Sequence, residues 1–183
     1  MVKIAARAER MPPFIVMEIL EKAQEMERQG MSVIHLEVGE PDFDTPDSIK
    51  TAVTQALSNG YTHYTHSLGL IELRQAICNH YAQTYGVFVH PDQVIVTSGT
   101  SPAMLLVFSA LLERGDAVIL SDPHYACYPN FIRYLEGEPV FVPVYESDGF
   151  QYRPEAISEK ITERTRAIQI GRASCRERVC HRV

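Results

Sequence analysis

The sequence predicts an α/β fold, in which helices cover both faces of a mainly parallel sheet in a three-layer arrangement. Short apolar runs alternate with helical patterns from Val94 to Gln169, which is typical of such sheets. The first strand is expected to start at Val94, and three more are expected at 117–121, 139–144 and 166–169. The chain has 183 residues, of which 45% are hydrophobic. It can therefore form one cored domain or part of a larger one.

The stretch Gln93–Arg114 is the one around which the other segments are arranged. A β-branched strand leads into the tight polar turn Thr97–Thr100, in which Gly99 can adopt a positive φ. Ser101 is predicted to cap the next helix, and Pro102 is predicted to occupy its first position. The helix is apolar on nearly every face, so we expect it to be buried.

The end of this strand and the start of this helix together predict an anion site. Amide groups of the turn and of the first helical turn converge there, and the helix dipole adds partial positive charge. We interpret the turn as a phosphate cradle. The alternative is an ordinary strand-to-helix turn whose small residues serve only its geometry, since neither G-x-G-x-x-G nor G-x-x-x-x-G-K-[ST] occurs there.

The amino-terminal segment begins with an extended arm, Met11–Phe14, because proline disfavours a helix in the residue before it. The first helix follows and ends at Gly30, a natural helix terminator. Its apolar face consists of Val16, Ile19, Leu20, Ala23 and Met26. We expect a short strand at Val33–Leu36 and then a loop at 37–46 that is dense in proline and aspartate.

Two more helices are expected before the central strand. One of them is closed by Asn59–Gly60. Its apolar face consists of Ile49, Ala52, Val53, Ala56 and Leu57. The other runs over 70–85 and stops at Gly86, with Glu72 and Arg74 predicted on its solvated face. Its apolar register consists of Leu70, Leu73, Ile77 and Tyr81.

Two more helices are also expected after the central one, at Tyr125–Leu135 and from Pro154, which would occupy the first helical position. Parallel sheets bind their ligands at the carboxyl ends of the strands. Thr97–Gly99 and Asp122–Tyr125 are both predicted to lie at such ends. The sequence therefore predicts a ligand site at this edge of the sheet.

Histidines and cysteines do not predict a metal site. His63 and His66 lie in the irregular loop 61–69, and no further ligands are identifiable near them. The chain has four cysteines and no C-x-x-C motif, and Cys78 and Cys127 lie in apolar helical patterns. Reduced thiols in a cytoplasmic protein are the expected state.

Charge and hydropathy exclude several other classes of function. The formal net charge of −6 argues against a nucleic-acid partner. No apolar run is long enough to span a membrane. Residues 1–10 carry basic side chains but no apolar core of a signal peptide, so we do not expect export.

The last residues, 170–183, break the patterns that precede them. They combine four arginines with Cys175 and Cys180 and have no apolar period. Ile170–Val179 resembles one translated reading frame of common sequencing-adapter DNA. We therefore interpret 170–183 as a spurious tail and leave it out of the functional argument. A genuine basic tail, or a metal site of Cys175, Cys180 and His181, is the alternative.

Four motifs, in order, resemble the amino-terminal half of a pyridoxal-phosphate-dependent aminotransferase of the class I/II family. They are V-G-E-P-D-F-D-T-P (38–46), Y-T-H-S-L-G-L-I-E-L-R (64–74), T-S-G-T-S-P-A (97–103) and D-P-H-Y-A-C-Y-P (122–129). The resemblance spans roughly Pro12 to Gln169. It implies a truncated large domain of fold type I, with 46–169 as the cofactor-binding part. Residues 1–45 would then be the arm, a helix and part of the small domain.

The resemblance also implies which residues bind pyridoxal 5′-phosphate. Gly99, Thr100 and Ser101 match the turn that holds the phosphate, and Tyr64 matches a tyrosine whose hydroxyl reaches the phosphate in the partner subunit. Tyr125 matches the aromatic ring that stacks on the pyridine ring. The chemistry is suitable, since a phosphate dianion needs several donors and a flat ring gains from an offset aromatic neighbour. The alternative interpretations are that the Tyr125 ring only packs in the core and that Tyr64 only anchors its loop.

For the substrate, Gly39 matches a glycine whose backbone lies against the substrate carboxylate, with a simple turn former as the alternative. The implied substrates are an amino acid and a 2-oxo acid. The intact parent would be a homodimer with shared sites, in which the arm Met11–Phe14 reaches the neighbouring subunit.

No catalytic residue is assigned. In the family, the lysine that bonds to the cofactor, the acidic partner of the pyridine nitrogen and the arginine that binds the substrate carboxylate all follow an N-P-[TN]-G turn. The chain departs before that turn. The lysines before the tail match no such segment: Lys3, Lys22, Lys50 and Lys160. We therefore expect the intact parent to transfer amino groups and this chain to be inactive. A related lyase, or a non-catalytic fragment that binds phosphate ligands, is the alternative.

Overall fold

The computed structural model describes residues 3–9, 11–39, 41 and 43–171. All but the first two residues of the predicted tail, 170–183, lie outside this range. The described residues form two compact units, one within Met1–Glu37 and Met104–Val183 and the other within Val38–Ala103. The predicted division of the chain at residue 45 stays a prediction.

The helices are, in chain order, α1 (Ala6–Glu9), α2 (Ile15–Arg28), α3 (Asp47–Ser58), α4 (Ile71–Tyr85), α5 (Thr100–Leu111), α6 (Cys127–Tyr134) and α7 (Pro154–Ser158). The strands are β1 (Ala117–Asp122), β2 (Glu138–Pro143) and β3 (Thr165–Ile168). Short 3₁₀ helices cover Pro91–Gln93 and Glu146–Asp148. Within the described residues, no helix is both long and apolar enough to cross a bilayer.

The predicted ends of the helices agree with the structure to within about three residues, and α1 is an addition. The helices α2, α3 and α4 stop just before Gly30, Asn59–Gly60 and Gly86, as expected from the terminators. Pro154 occupies the first position of α7. Turn chemistry of this kind is local, so a single sequence is sufficient to locate it.

The three strands form a parallel sheet in the order β2-β1-β3. β1 is the central strand. It pairs with β2 along its whole length, from Ala117 opposite Glu138 to Asp122 opposite Pro143. It pairs with β3 where Val118 lies opposite Ala167 and Ile119 lies opposite Ile168. Residues 117–120 of β1 are buried, as a strand between two neighbours requires. This confirms the predicted parallel sheet and three of its four expected strands.

The core of the unit that contains the sheet lies against one face of β1. Phe108 of α5 packs with Val118 and Leu120 of β1 and with Ile132 of α6, and all four side chains are at most 2% exposed. The apolar helical period and the alternation along the strand together bring these residues into one cluster.

The junction before β1 is fixed by a buried carboxylate. Asp116 Oδ2 accepts a hydrogen bond from the backbone N–H of Glu113 at 3.0 Å and another from Arg166 Nε at 3.0 Å. The Glu113 amide, and after it the Arg166 guanidinium, lowers the pKa of the Asp116 carboxyl. Asp116 therefore ties the turn after α5 to β3.

Two predicted strands are not formed. Val33–Leu36 and the segment from Val94 to Thr97 lie outside the sheet. Val94 does have extended dihedrals, φ −111° and ψ 124°, and the Val96 N–H donates to the Leu68 carbonyl at 2.9 Å. A strand, however, requires a ladder of such bonds with a neighbour. The extended conformation expected at Val94 is thus observed, whereas the pairing of both segments was predicted wrongly.

The prediction for α5 is also wrong in two respects. The helix begins at Thr100, so Ser101 and Pro102 are its second and third residues rather than its cap and first residue. Phe108 is its buried residue, whereas Leu106, Val107 and Leu111 are about half exposed. In the described part of the chain, only the face that carries Phe108 meets the sheet, so an all-round apolar helix is covered on one side.

Candidate phosphate-binding site

The turn Thr97–Thr100, predicted to be a phosphate cradle, is closed by a side-chain hydrogen bond and leads directly into α5. Gly99 has φ +112°, and a Cβ at this position would meet no atom within 4 Å. The Thr97 hydroxyl donates to the Gly99 carbonyl at 2.7 Å, which closes the turn. Thr100, which follows directly, is the first residue of α5. The positive φ of Gly99 was predicted correctly.

The start of α5 presents donors to solvent. Thr100 and Ser101 are both exposed, and the first amides of a helix have no acceptor within the helix. Pro102 has no N–H to offer, so Thr100, Ser101 and Ala103 supply the amides of this first turn. Together with the helix dipole and two hydroxyls, they can bind an anion.

The loop that carries Tyr64 is held beside the segment that leads into this turn. Gly69, at the end of the loop, has φ +97°, and a Cβ there would lie 2.6 Å from the Cβ of Val96. The Leu68 carbonyl accepts the hydrogen bond from the Val96 N–H. Tyr64 itself is fully exposed, and it lines an open depression of about 600 Å³ with Thr62 and His63. Both segments belong to the unit Val38–Ala103.

Arg74 corrects a prediction. It was expected on the solvated face of α4, but it is 4% exposed and, with Cys78, forms the buried face of this helix. Its Nε donates to the Gly69 carbonyl at 3.2 Å, and its Nη1 donates to the Pro91 carbonyl at 3.0 Å. Nη1 also contacts the Asp92 carboxylate at 3.3 Å. Glu72 is exposed, as expected.

No signal in the sequence indicated the burial of Arg74. An arginine on a helix is normally solvated, and its acceptors here come from residues five and 17 to 18 positions away. Leu70, Leu73 and Tyr81 of the predicted apolar register are all more than 40% exposed, so the register did not identify the residues that α4 buries.

Gly39 lies in an exposed part of the loop before α3. Among the described residues, a Cβ at this position would meet no atom within 4 Å. The loop residues Glu40 and Asp42 lie outside the described range. The proposed role of Gly39 at a substrate carboxylate stays a prediction.

Tyr125 belongs to the other unit and lies just after the carboxyl end of β1, past a cis Asp122–Pro123 bond. Its half-buried ring packs edge-to-face against Phe14, with centroids 6.4 Å apart, and against Tyr128, with centroids 5.3 Å apart. These contacts fix the orientation of the ring. Phe14 is the last residue of the predicted arm, and its contact with Tyr125 was not predicted.

Other polar groups gather near the same end of β1 and β3. The His124 ring stacks on Phe141 at 5.0 Å, and its buried Nδ1 has no hydrogen-bond partner among the described residues. The Tyr152 hydroxyl donates to the Gln169 carbonyl at 3.1 Å. Burial raises the pKa of the Tyr152 hydroxyl, and a hydrogen bond with Ser121 opposes this shift. No role was predicted for His124, although it lies in the motif 122–129, and no motif contains Tyr152.

The part of the chain that the structure describes contains no group of three or more histidine, cysteine or acidic side chains suited to a metal ion. His66 instead stabilises its own loop, because its Nδ1 accepts the Leu68 N–H at 3.1 Å. The start of α5 therefore offers backbone amides and hydroxyls that suit an anion, and Tyr125, in the other unit, offers an aromatic ring.

Comparison with known proteins shows which sequences and folds this chain resembles. Residues 31–174 match the family model "Aminotransferase class I and II". A probable aspartate/prephenate aminotransferase of Aquifex aeolicus is 41% identical over 92% of this chain and 43% of that protein. An aspartate aminotransferase of Pyrococcus horikoshii is 42% identical over 85% of this chain and 39% of that protein.

The fold agrees with solved structures as well. The aspartate aminotransferase of Thermus thermophilus, solved with maleate, superimposes with a TM-score of 0.88 at 36% identity. The match covers 93% of this chain and 44% of that one. The predicted α/β fold with a parallel sheet, of the type found in these enzymes, is thereby confirmed. The chain spans less than half the length of the relatives it matches.

Proposed function

The chain belongs to the class I and II aminotransferase family, and from this premise we propose that it holds the phosphate of pyridoxal 5′-phosphate as part of an amino-transferring enzyme. The intact enzyme would move an amino group between an amino acid and a 2-oxo acid. The relatives named above are called aminotransferases, which favours amino transfer over a lyase reaction. Because the chain covers less than half of each relative, the activity of the whole protein is part of the proposal.

The observation that carries this proposal is the turn at Gly99 joined directly to the start of α5. Its residues fit the phosphate group: the space beside Gly99 is open, and Thr100 and Ser101 are exposed at the positive end of a 12-residue helix. We assign the phosphate to the amides of Thr100 and Ser101 and to the two hydroxyls. Several donors fixed by one helix bind a dianion without needing a lysine.

The remaining residues would orient the ring and the substrate. When bound, the cofactor supplies an electron sink for bonds at the carbon that carries the amino group. The Tyr125 ring, held by its two aromatic neighbours, would cover one face of the pyridine ring. Gly39 would offer its backbone to the substrate carboxylate. The Tyr64 hydroxyl would reach the phosphate bound by a second subunit, so the proposal includes a homodimer. The free thiols of Cys78 and Cys127 are compatible with the proposed cytoplasmic location.

We propose that this 183-residue chain does not itself catalyse amino transfer. None of the lysines before the tail lies in a segment that resembles the family's cofactor lysine, and the described residues include no assigned proton carrier. Incubation with pyridoxal 5′-phosphate, aspartate and 2-oxoglutarate should give no amino transfer. Borohydride reduction followed by peptide mass spectrometry should show no adduct at stoichiometric yield. A full-yield adduct on one lysine would contradict this part of the proposal.

Replacing Ser101 with alanine should weaken phosphate recognition. A hydrogen bond to a charged group contributes about 1.5–3 kcal/mol, so the Kd should rise about tenfold or more. NMR titration with pyridoxine 5′-phosphate suits weak binding, and this ligand has no aldehyde that could react with lysines. The affinity for pyridoxine, which lacks the phosphate, should not change.

Ser109→Ala is the matched control, since Ser109 is an exposed serine of the same helix, two turns away from the site. It should leave both affinities unchanged. Equal effects of the Ser101 and Ser109 substitutions would argue against phosphate binding at the start of α5.

A further inference from the structure

Among the described residues of the unit Val38–Ala103, Arg74 is the buried charged side chain, and its acceptors come from two different segments. On one side, Nε donates to the carbonyl of Gly69, the residue that ends the Tyr64 loop. On the other side, Nη1 donates to the carbonyl of Pro91 and contacts the carboxylate of Asp92. The guanidinium therefore joins these two segments.

The second of these segments leads directly to the phosphate turn. The 3₁₀ helix Pro91–Gln93 is followed by three residues, Val94–Val96, that belong to no helix or strand, and then by the turn Thr97–Thr100. Halfway along, Val96 touches the Tyr64 loop twice, through its N–H bond to Leu68 and through its side chain against Gly69. Arg74 thus lies where the loop and the segment approach each other.

The physical chemistry makes this contact a geometric constraint. A guanidinium removed from water is tolerated only if its donors are paired, so any displacement of either segment leaves a buried charge unsatisfied. The planar fork of arginine also fixes the directions of its hydrogen bonds, which a lysine ammonium does not. The segment from Val94 to Thr97 lacks a strand ladder, so Arg74 supplies part of the order that a sheet would otherwise give.

We propose that Arg74 is a positioning residue for the cofactor phosphate, which sets the Tyr64 loop and the turn Thr97–Thr100 in the arrangement that binding requires. This inference rests on the proposed function. Arg74 does not touch the ligand. It acts through Gly69 and Pro91. The same guanidinium thus holds both the loop of Tyr64, which would reach the partner subunit's phosphate, and the turn Thr97–Thr100, which would bind the chain's own phosphate.

The test compares the affinities of each variant for a ligand with and without the phosphate, because a general loss of stability weakens both affinities equally and leaves their ratio unchanged. For each variant, NMR titration gives the Kd for pyridoxine 5′-phosphate and for pyridoxine, and their ratio reports phosphate recognition. In the unaltered chain, the phosphate ligand should bind about tenfold or more tightly, equivalent to about 1.4 kcal/mol. Arg74→Met should bring the ratio close to one while the pyridoxine affinity stays the same.

Arg74→Lys should give an intermediate ratio, because a lysine keeps the charge but cannot satisfy the same acceptors. Glu72→Gln, at an exposed position of the same helical turn, is the control and should keep the full ratio. Hydrogen exchange at the Val96 amide provides a second measurement. Its protection should fall in Arg74→Lys while the amides in the last turn of α4 keep theirs. This measurement applies even if Arg74→Met does not fold.

The outcomes separate the two proposals. A ratio of one in the unaltered chain overturns the proposed phosphate site and this inference with it. A high ratio that persists in folded Arg74→Met, or in Arg74→Lys with unchanged protection at Val96, overturns the role of Arg74 alone.

Discussion

Replacing Phe108 with alanine should lower the free energy of opening of the parallel sheet by about 3–5 kcal/mol, the usual cost of removing a buried phenylalanine. Phe108 is 2% exposed and packs between β1 and α6, against Val118, Leu120 and Ile132. The loss includes both the transfer of the ring to water and the cavity that remains. Native-state hydrogen exchange at the amides of β1 measures this free energy directly.

Leu106→Ala is the matched control on the same helix. Leu106 is 57% exposed, so removal of its side chain should change the opening free energy by less than about 0.5–1 kcal/mol. A Leu106 effect as large as that of Phe108 would contradict the observed packing, because it would mean that the outer face of α5 is covered in solution.

The second large effect is expected at Gly69, where alanine should destabilise the unit Val38–Ala103. The new Cβ would lie 2.6 Å from the Cβ of Val96, and both atoms belong to constrained parts of the chain. Overpacking of this kind costs about 1–3 kcal/mol. The backbone at φ +97° adds strain of about 1–2 kcal/mol for any L-residue. Exchange at the Val96 amide, whose hydrogen bond to Leu68 should break, is the measurement.

Gly60→Ala separates the two causes. Gly60 lies in the same unit at φ +78°, but a Cβ there would meet no atom within 4 Å. It should therefore show the backbone strain alone. The double variant Gly69→Ala/Val96→Ala should recover the overpacking part and leave the strain. A Gly69 effect no larger than that of Gly60, or no recovery in the double variant, would contradict the close approach of the loop to Val96.

The elements that the sequence predicted well are those specified by neighbouring residues. The ends of α2 and α4 follow from Gly30 and Gly86, because a residue that leaves the helical conformation ends the helix wherever it occurs. The strands β1, β2 and β3 were found within about one residue because apolar runs bounded by turns are a local signal as well.

The elements that the sequence predicted poorly depend on distant partners. An isolated apolar run such as Val94–Val96 specifies an extended backbone, but its pairing requires a neighbouring strand. Burial of Arg74 depends on Pro91 and Asp92, which lie 17 and 18 residues further along. The exposure of Leu106 and Leu111 likewise depends on what packs against α5, and helical periodicity gives no information about that.

The candidate site shows the same division. The positive φ of Gly99 was predictable because the small polar residues around it define a turn. The start of α5 at Thr100 was missed, since Ser101 followed by Pro102 is also a regular cap sequence. The contact of Phe14 with Tyr125 joins residues far apart in the chain, and no pattern in either segment indicates it.

The assignment of the turn Thr97–Thr100 to a phosphate group is tested most directly by amide chemical shifts. A ¹H–¹⁵N titration with pyridoxine 5′-phosphate should move the resonances of Gly99, Thr100 and Ser101 in a saturable way, and inorganic phosphate should move the same three. Pyridoxine without the phosphate should leave them in place. If these amides stay unmoved by the phosphate ligands while other residues respond, the phosphate binds elsewhere and the assignment is wrong.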